Sequence, residues 1–508
     1  MGYSEFFNLI AKVIRSAITD FSFTEAGILE KDDLKTLNRE IDDTLKKLIN
    51  YSPGITHDKI RWDSEICDDI IKWVKEKKDK YLYLHLLMRL DHMVNIDTLC
   101  LDYGIKATAI RNRERKEKEN PGTAKGKYVA PYFSALNINV EETGILVLPD
   151  FRIPTENDDV NEEVKEISRM SGLNDILHSL SFLKMEELSD GFCINNVILD
   201  PGRSFEQMSI AFTPTTNKAK TEAFSVGEKV IEQEESGHKF VYMGEITLQN
   251  KEDSTENYLK CLEYSRKQKI DILVGTEMFG TEALCRTGAS GVNPIFVDDE
   301  NRNSPFLIVT PSLWKDSSNS LSVFTSRGEL IGKQYKQYPY AWKGEQSEHL
   351  ADVPREILLI HIKGLGKVAF PICFDLLNAN YRDLLIHRLK TDFLICISYS
   401  SVSTDFEMKV MEAVSVGSYA FWFNSCSAIR GKEDEYIGYV AIPSKHPSET
   451  VQKIVPCDCE ADCGSCLINV TVPAKRTERL GIVEDNIIIT RTPVQNFTGN
   501  NNEREASV

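Results

Sequence analysis

No stretch of the chain approaches the roughly 18 to 20 uninterrupted apolar residues that a membrane-spanning helix needs, so no helical span is expected. The opening residues, Met1-Gly-Tyr-Ser-Glu-Phe-Phe-Asn, lack the basic region and apolar core of a secretory leader. Positive charge is in deficit: 60 Lys and Arg stand against 77 Asp and Glu, a net charge of −17. The field of the whole molecule therefore repels nucleic acid and anionic membranes, although a local basic patch could bind either. A disulfide framework is missing too. Of the 12 cysteines, Cys67, Cys100, Cys193, Cys261, Cys285, Cys396 and Cys426 are scattered through apolar segments, which fits reduced buried thiols and a cytoplasmic location. No internal repeat is visible.

What is present is enough apolar residue, 42%, to fold, in a chain of 508 residues that is too long for one ordinary core. Residues 1–126 read as a helical domain. Phe6, Phe7, Ile10, Val13 and Ile14 recur at helical spacing, and Leu34 to Ile49 and Ile66 to Leu90 do the same. Residues 127–213 read as mixed α/β, with a strand at Gly144 to Pro149 and helices at Glu162 to Met170 and Asn174 to Leu183. The polar stretch 214–238 has few apolar residues to bury and reads as a linker. From 239 to 490 strands and helices alternate, which predicts a layered α/β domain, and 491–508 read as a disordered tail.

The chemistry is concentrated in that last domain. In Lys367-Val-Ala-Phe-Pro-Ile-Cys373-Phe-Asp375 an apolar strand ends in a thiol followed by a carboxylate, the place where a nucleophile is held. Glu277 ends a similar strand, Ile272-Leu-Val-Gly-Thr-Glu277, and Lys336 follows a third, Gly328 to Lys336. A thiol attacking an amide or nitrile carbon needs a base, a stabiliser for the developing negative charge, and a proton for the leaving amine. Glu277 supplies the base and later the acid. Lys336 lowers the thiol pKa and, with the backbone N–H of Phe374, holds the tetrahedral intermediate.

In these residues the segment 239–490 resembles the nitrilase, or carbon–nitrogen hydrolase, superfamily. The matches are a Glu after the second strand, a Lys eight residues after the Gly of Gly328-Glu-Leu-Ile-Gly, and Ile372-Cys373-Phe374-Asp375, all in order. The resemblance implies an α/β fold of the αββα four-layer sandwich type behind the N-terminal mainly helical region. It also implies amidase-like hydrolysis of a small polar amide without a catalytic metal, and a homodimer or higher oligomer. A second acid, Glu345 or Glu348, is expected between the Lys and the Cys. Specificity would lie in loops around Trp342, Ser398 to Ser403 and Glu282 to Ser290. The chain departs from the family pattern at Leu377, where Arg is common, and at Thr276, where Pro usually precedes the Glu; both bear on the substrate.

Two further motifs stand outside that reading. Cys457, Cys459, Cys463 and Cys466 place four thiols within ten residues of an expected strand hairpin, and could wrap one structural Zn²⁺; a polar turn of unbound thiols and an iron–sulfur ligand set are the alternatives. Residues 97–113 resemble a helix-turn-helix, and a basic run follows from Lys106 to Lys127, which could touch nucleic-acid phosphates or be a solvated, self-paired helix. An alternative function follows from these: a nitrilase-like scaffold joining a protein or nucleic-acid partner in a larger assembly, such as an antiviral defence system.

Overall fold

A computed structural model describes residues 2–21, 31–52, 55–56, 59–94, 132–135, 143–149, 177, 179–184, 191–203, 205–214, 216, 218, 220–232, 239–288, 291–297, 304–342, 346–351, 353–415, 417–443, 451–456, 466–474 and 487–493. The chain divides into two units: Met1–Lys127, Tyr132–Asp200 and Ile360–Lys367 in one, and Tyr128–Pro131, Pro201–Leu359 and Val368–Val508 in the other.

In the first unit four helices, α1 (Gly2–Asp20), α2 (Lys31–Ile49), α3 (Ser64–Lys77) and α4 (Lys80–His92), carry out the periodic pattern. Phe6, Ile10, Val13 and Ile14 of α1 bury with Ile41 and Leu45 of α2, Ile70 and Val74 of α3, and Leu82, Leu86 and Leu90 of α4 in one core. Each such side chain contributes roughly 1.5 to 3 kcal/mol. The starts of α3 and α4 are capped: Asp63 accepts from the Ile66 N–H at 3.0 Å and Asp79 from the Tyr81 N–H at 2.8 Å. Strand β1 (Tyr132–Ala135) pairs with β4 (Cys193–Asp200), and β2 (Ile145–Pro149) with β3 (Leu180–Lys184), both antiparallel. The helix expected over Asn174 to Leu183 is therefore corrected at its end. Leu180 and Phe182 alternate onto the helical core while Lys184 pairs with Ile145, so tertiary pairing overrides local spacing. The expected helix at Glu162 to Met170, the helix-turn-helix over 97–113 and the basic run that follows it lie outside the described residues.

The second unit begins earlier than expected. Strand β5 (Gln207–Thr213) lies in the middle of a sheet, between β8 (Ile272–Gly275), to which it is parallel, and β21 (Cys466–Pro473), to which it is antiparallel. The stretch read as a linker, 214–238, instead contains β6 (Phe224–Glu232), which forms an antiparallel hairpin with β7 (Lys239–Leu248). Residues Ser225 to Val230 are exposed, while Ala223 and Phe224 bury with Ile246 and Leu248 of β7 at the hairpin's root. An edge ribbon held by backbone pairing has the same polar composition as a linker.

The first sheet continues through β9 (Leu307–Val309), β10 (Leu313–Lys315), β11 (Ser318–Thr325) and β12 (Leu330–Tyr335), and ends at its other side with β22 (Ile488–Pro493). Residues 491–493 thus belong to a strand rather than to the expected tail, and the rest of 491–508 lies outside the described residues. A short ribbon of β13 (Ala341–Trp342) and β14 (Gln346–Glu348) adds to the β6–β7 hairpin. The second sheet runs β15 (Glu356–Ile362), β16 (Gly366–Ala369), β17 (Phe393–Ser398), β18 (Tyr419–Asn424), β19 (Gly438–Ala441) and β20 (Val451–Ile454).

The two sheets pack face to face. Phe212 of β5 stacks on Phe423 of β18 at 4.2 Å, and the Tyr419 hydroxyl donates to the Pro473 carbonyl at 2.9 Å. Helix α5 (Lys251–Lys267) covers the first sheet, burying Tyr258, Cys261 and Leu262 against Ala211 and Leu273. Helix α6 (Thr404–Ser415) covers the second, with Phe406 stacked on Trp422 at 4.7 Å. This is the αββα sandwich. The hairpin expected to carry the four cysteines is corrected, because β20 pairs with β19 in one sheet and β21 with β5 in the other. Cys466 is buried at the head of β21; Cys457, Cys459 and Cys463 lie outside the described residues.

Candidate active site

All three expected catalytic residues are described, buried and gathered by the facing sheets of the second unit. Glu277 lies two residues past β8, where the chain leaves the sheet. Gly275 at the strand's end is obligatory, because a Cβ there would come within 2.3 Å of Pro311. Lys336 directly follows β12, and Cys373 follows β16 through Phe370-Pro-Ile.

Lys336 Nζ lies 2.9 Å from Glu277 Oε1 and 2.8 and 2.6 Å from the two oxygens of Glu348. Glu277, Lys336 and Glu348 are 0%, 1% and 3% exposed, so this charge cluster works in a low-dielectric interior. Of the two expected second acids, Glu348 lies in this cluster; Glu345 lies outside the described residues. Glu277 is fixed from both sides: Asn319 Nδ2 donates to Oε1 at 2.9 Å and the Tyr399 N–H to Oε2 at 2.6 Å. Burial pushes the Glu277 carboxyl pKa up, with Lys336 opposing and Glu348 reinforcing. Burial works against the Lys336 ammonium, but its two carboxylates outweigh burial and hold its pKa well above the ordinary value. The group stays charged.

Cys373 adopts φ 51°, ψ −108° at the turn into a short helical segment, Phe374–Leu377. A non-glycine residue held there stores strain of about 1 to 3 kcal/mol, a feature typical of reacting residues. Its N–H donates to the Ile397 carbonyl at 2.7 Å, and Ser398 Oγ lies 3.3 Å from Sγ. Burial raises the thiol pKa strongly, Glu277 and Glu348 add to this, and Lys336 and Ser398 pull it down. The Phe374 N–H belongs to the first residue of the helical turn beside it.

Sequence reasoning missed the supports. Asp375 accepts from the Gln337 and Tyr338 N–H groups, both at 2.9 Å, and from the Ile372 N–H at 3.2 Å, tying the residues after Lys336 to the residue before Cys373. Burial raises its pKa to about 7 against the pull of these donors. Asn319 stands near the start of β11 between Ser318 and Ser320, where no contrast with its neighbours marks it in the sequence. Of the expected specificity loops, Ser398 reaches the nucleophile, whereas Glu282 is exposed and paired with Lys315 at 2.8 Å, and Trp342 is placed only by its pairing with Gln346.

Among the described residues no group of three or more His, Cys, Asp or Glu could hold a metal ion, and no described helix is long and apolar enough to cross a membrane. No family model and no curated protein matches this chain. Among solved structures it is similar to an amidase of the nitrilase superfamily from Nesterenkonia AN1. A cysteine-to-alanine mutant of that amidase shows 14% identity, a TM-score of 0.34 and coverage of 53% of this chain and 92% of that one. A glutamate mutant carrying the acetamide moiety of fluoroacetamide on its active-site cysteine shows 11%, 0.35, 54% and 92%. Values this low carry no argument about activity, and the chemistry rests on the geometry.

Proposed function

We propose that the second unit is a carbon–nitrogen hydrolase that cleaves a small polar amide through a thioester on Cys373. The observation that carries this is the buried ammonium of Lys336, shared by two carboxylates beside a strained, buried thiol. In acylation Glu277 takes the thiol proton as Sγ attacks the amide carbon. The oxyanion is held by Lys336 and the Phe374 N–H. Glu277 then returns its proton to the departing nitrogen, the C–N bond breaks, and ammonia or an amine leaves. In deacylation Glu277 takes a proton from water, hydroxide adds to the thioester carbon, and the carboxylic acid leaves as the proton returns to sulfur. Cys373 is only 6% exposed, which favours small substrates.

The test is ammonia or amine release from a metabolite extract, compared between the wild-type protein and Cys373→Ala. Release by the wild type alone supports the proposal; equal release by both refutes it. One observation favours a second reading. Burial drives the Cys373 pKa up, as it would for an inert core thiol. A Cys373 unreactive toward thiol reagents, in a protein that captures nucleic acid or another protein, would make the assembly scaffold the better account.

A further inference from the structure

Three successive residues at the end of β17 each touch a different part of the catalytic machinery. The Ile397 carbonyl accepts the N–H of Cys373 at 2.7 Å. Ser398 Oγ lies 3.3 Å from Cys373 Sγ. The Tyr399 N–H reaches Glu277 Oε2 at 2.6 Å. Ser398 is the last residue of β17 and Tyr399 the first beyond it, so the three groups meet where the strand ends. Ser398 is wholly buried, and the hydroxyl is its only functional group.

From this placement we propose that Ser398 is a further catalytic residue: its hydroxyl donates a hydrogen bond to the Cys373 sulfur and stabilises the thiolate. The proposal rests on the hydrolase reading for its role in turnover, but the thiolate it concerns can be measured without turnover. The sulfur needs such a donor. It is buried beside two carboxylates that disfavour a negative sulfur, and Lys336 is already committed to both of them. A hydroxyl on the far strand adds a donor without adding charge, and hydrogen bonds to ionised acceptors are about twice as strong as neutral ones. The bond strengthens when the thiol gives its proton to Glu277, weakens as the C–S bond forms, and strengthens again when the second tetrahedral intermediate expels sulfur. Ser398 therefore assists both steps. Cys396, two residues earlier on the same face, points its thiol at the carbonyls of Cys373, at 4.0 Å, and Ile397, at 3.8 Å, rather than at the Cys373 sulfur.

The experiment is the pH dependence of alkylation of Cys373 by iodoacetamide, read by peptide mass, in the full-length wild type, Ser398→Ala and Ser398→Thr, each checked for wild-type folding by circular dichroism. In Ser398→Ala the apparent thiol pKa should rise by about one unit and the rate near neutral pH fall about tenfold, while Ser398→Thr, which keeps a hydroxyl, returns most of both. A Ser398→Ala profile that superimposes on the wild type overturns the proposal. So does a wild-type Cys373 that is not alkylated at any pH the fold survives, because no thiolate then forms to be held. A shifted alkylation profile in a protein without amidase activity would uphold the Ser398 assignment and remove the hydrolase reading alone.

Discussion

Lys336 sits between two carboxylates that belong to different parts of the molecule. Glu277 hangs from the central sheet: β8 delivers it, Asn319 of β11 holds one oxygen, and the Tyr399 amide at the end of β17 holds the other. Glu348 ends β14, a three-residue strand that pairs in parallel with β7, Glu348 opposite Met243, and β7 is in turn one arm of the β6–β7 ribbon. Its support outside Lys336 is the Tyr340 N–H, at 3.0 Å from Oε2. The carboxylate given fixed donors on both oxygens is suited to passing a proton at a set position. The one whose two oxygens both lean on the ammonium is suited to orienting that ammonium and setting its neighbour's pKa.

The largest expected effect breaks the comparison on its Glu277 side. Glu277→Gln keeps the shape and removes the base, and should lower kcat by about 10³ to 10⁴, measured as ammonia release on the best substrate found. Glu348→Gln should cost less, about 10², and should move the pH profile. Because Glu348 raises the Glu277 pKa, and activity needs Glu277 deprotonated, the acid limb of kcat/KM should shift to lower pH in this variant. A shift to higher pH would assign the two carboxylates the wrong way round.

Asp375→Asn comes next. It replaces one of the two oxygens that together face three N–H groups, loosens the tie between the Lys336 and Cys373 segments, and should reduce kcat about tenfold. It also alters stability against pH. The folded pKa of about 7 lies above the ordinary 3.8, so the folded state holds the extra proton between these values. Asp375's contribution is present below about 3.8 and is lost as pH rises through about 7, and the variant should lose that slope in urea titrations between pH 4 and 7.

A smaller effect tests the ribbon. Phe224 roots β6 by packing its ring edge-on against Tyr399, 5.2 Å between centroids, so one ribbon touches the support of both carboxylates. Phe224→Ala should lower kcat by about threefold to tenfold at near-constant KM, and Phe224→Leu should recover much of it. The smallest effect on activity belongs to the first unit. Burial lowers the His85 pKa to about 4 from 6.5, so the unfolded chain binds the extra proton between these values. The stability of that unit should fall as pH drops from about 6.5 to 4, by up to about 3 kcal/mol, and His85→Gln should flatten the fall without changing hydrolysis.

How far the sequence could be read follows the same division. Glu277 and Cys373 stand out in the sequence because each follows an apolar strand, where a polar residue is conspicuous, whereas Lys336 follows the mixed strand Leu330-Ile-Gly-Lys-Gln-Tyr and is marked only by its spacing from Gly328. The helices of the first unit were legible because Phe6 to Ile14 and the runs after them repeat at a spacing that local geometry alone dictates. The place of Glu348 beside Lys336 left no local mark, since it depends on β14 pairing with β7 about a hundred residues earlier in the chain. For the same reason β6 passed for a linker: its residues are exposed, and only backbone pairing makes them a strand. The four-cysteine segment was taken for a hairpin because its flanking strands are close in sequence, whereas β20 and β21 are claimed by opposite sheets. Contacts that depend on distant partners leave little mark on local composition.

The most direct test of the account is intact-mass spectrometry of the protein quenched in acid within its first turnovers on a small polar amide that it hydrolyses. The account predicts one acyl adduct, mapped to Cys373, absent in Cys373→Ala and accumulating in a variant slowed in deacylation. Turnover of that amide with no adduct on Cys373 at any quench time, or turnover that survives Cys373→Ala, would contradict it.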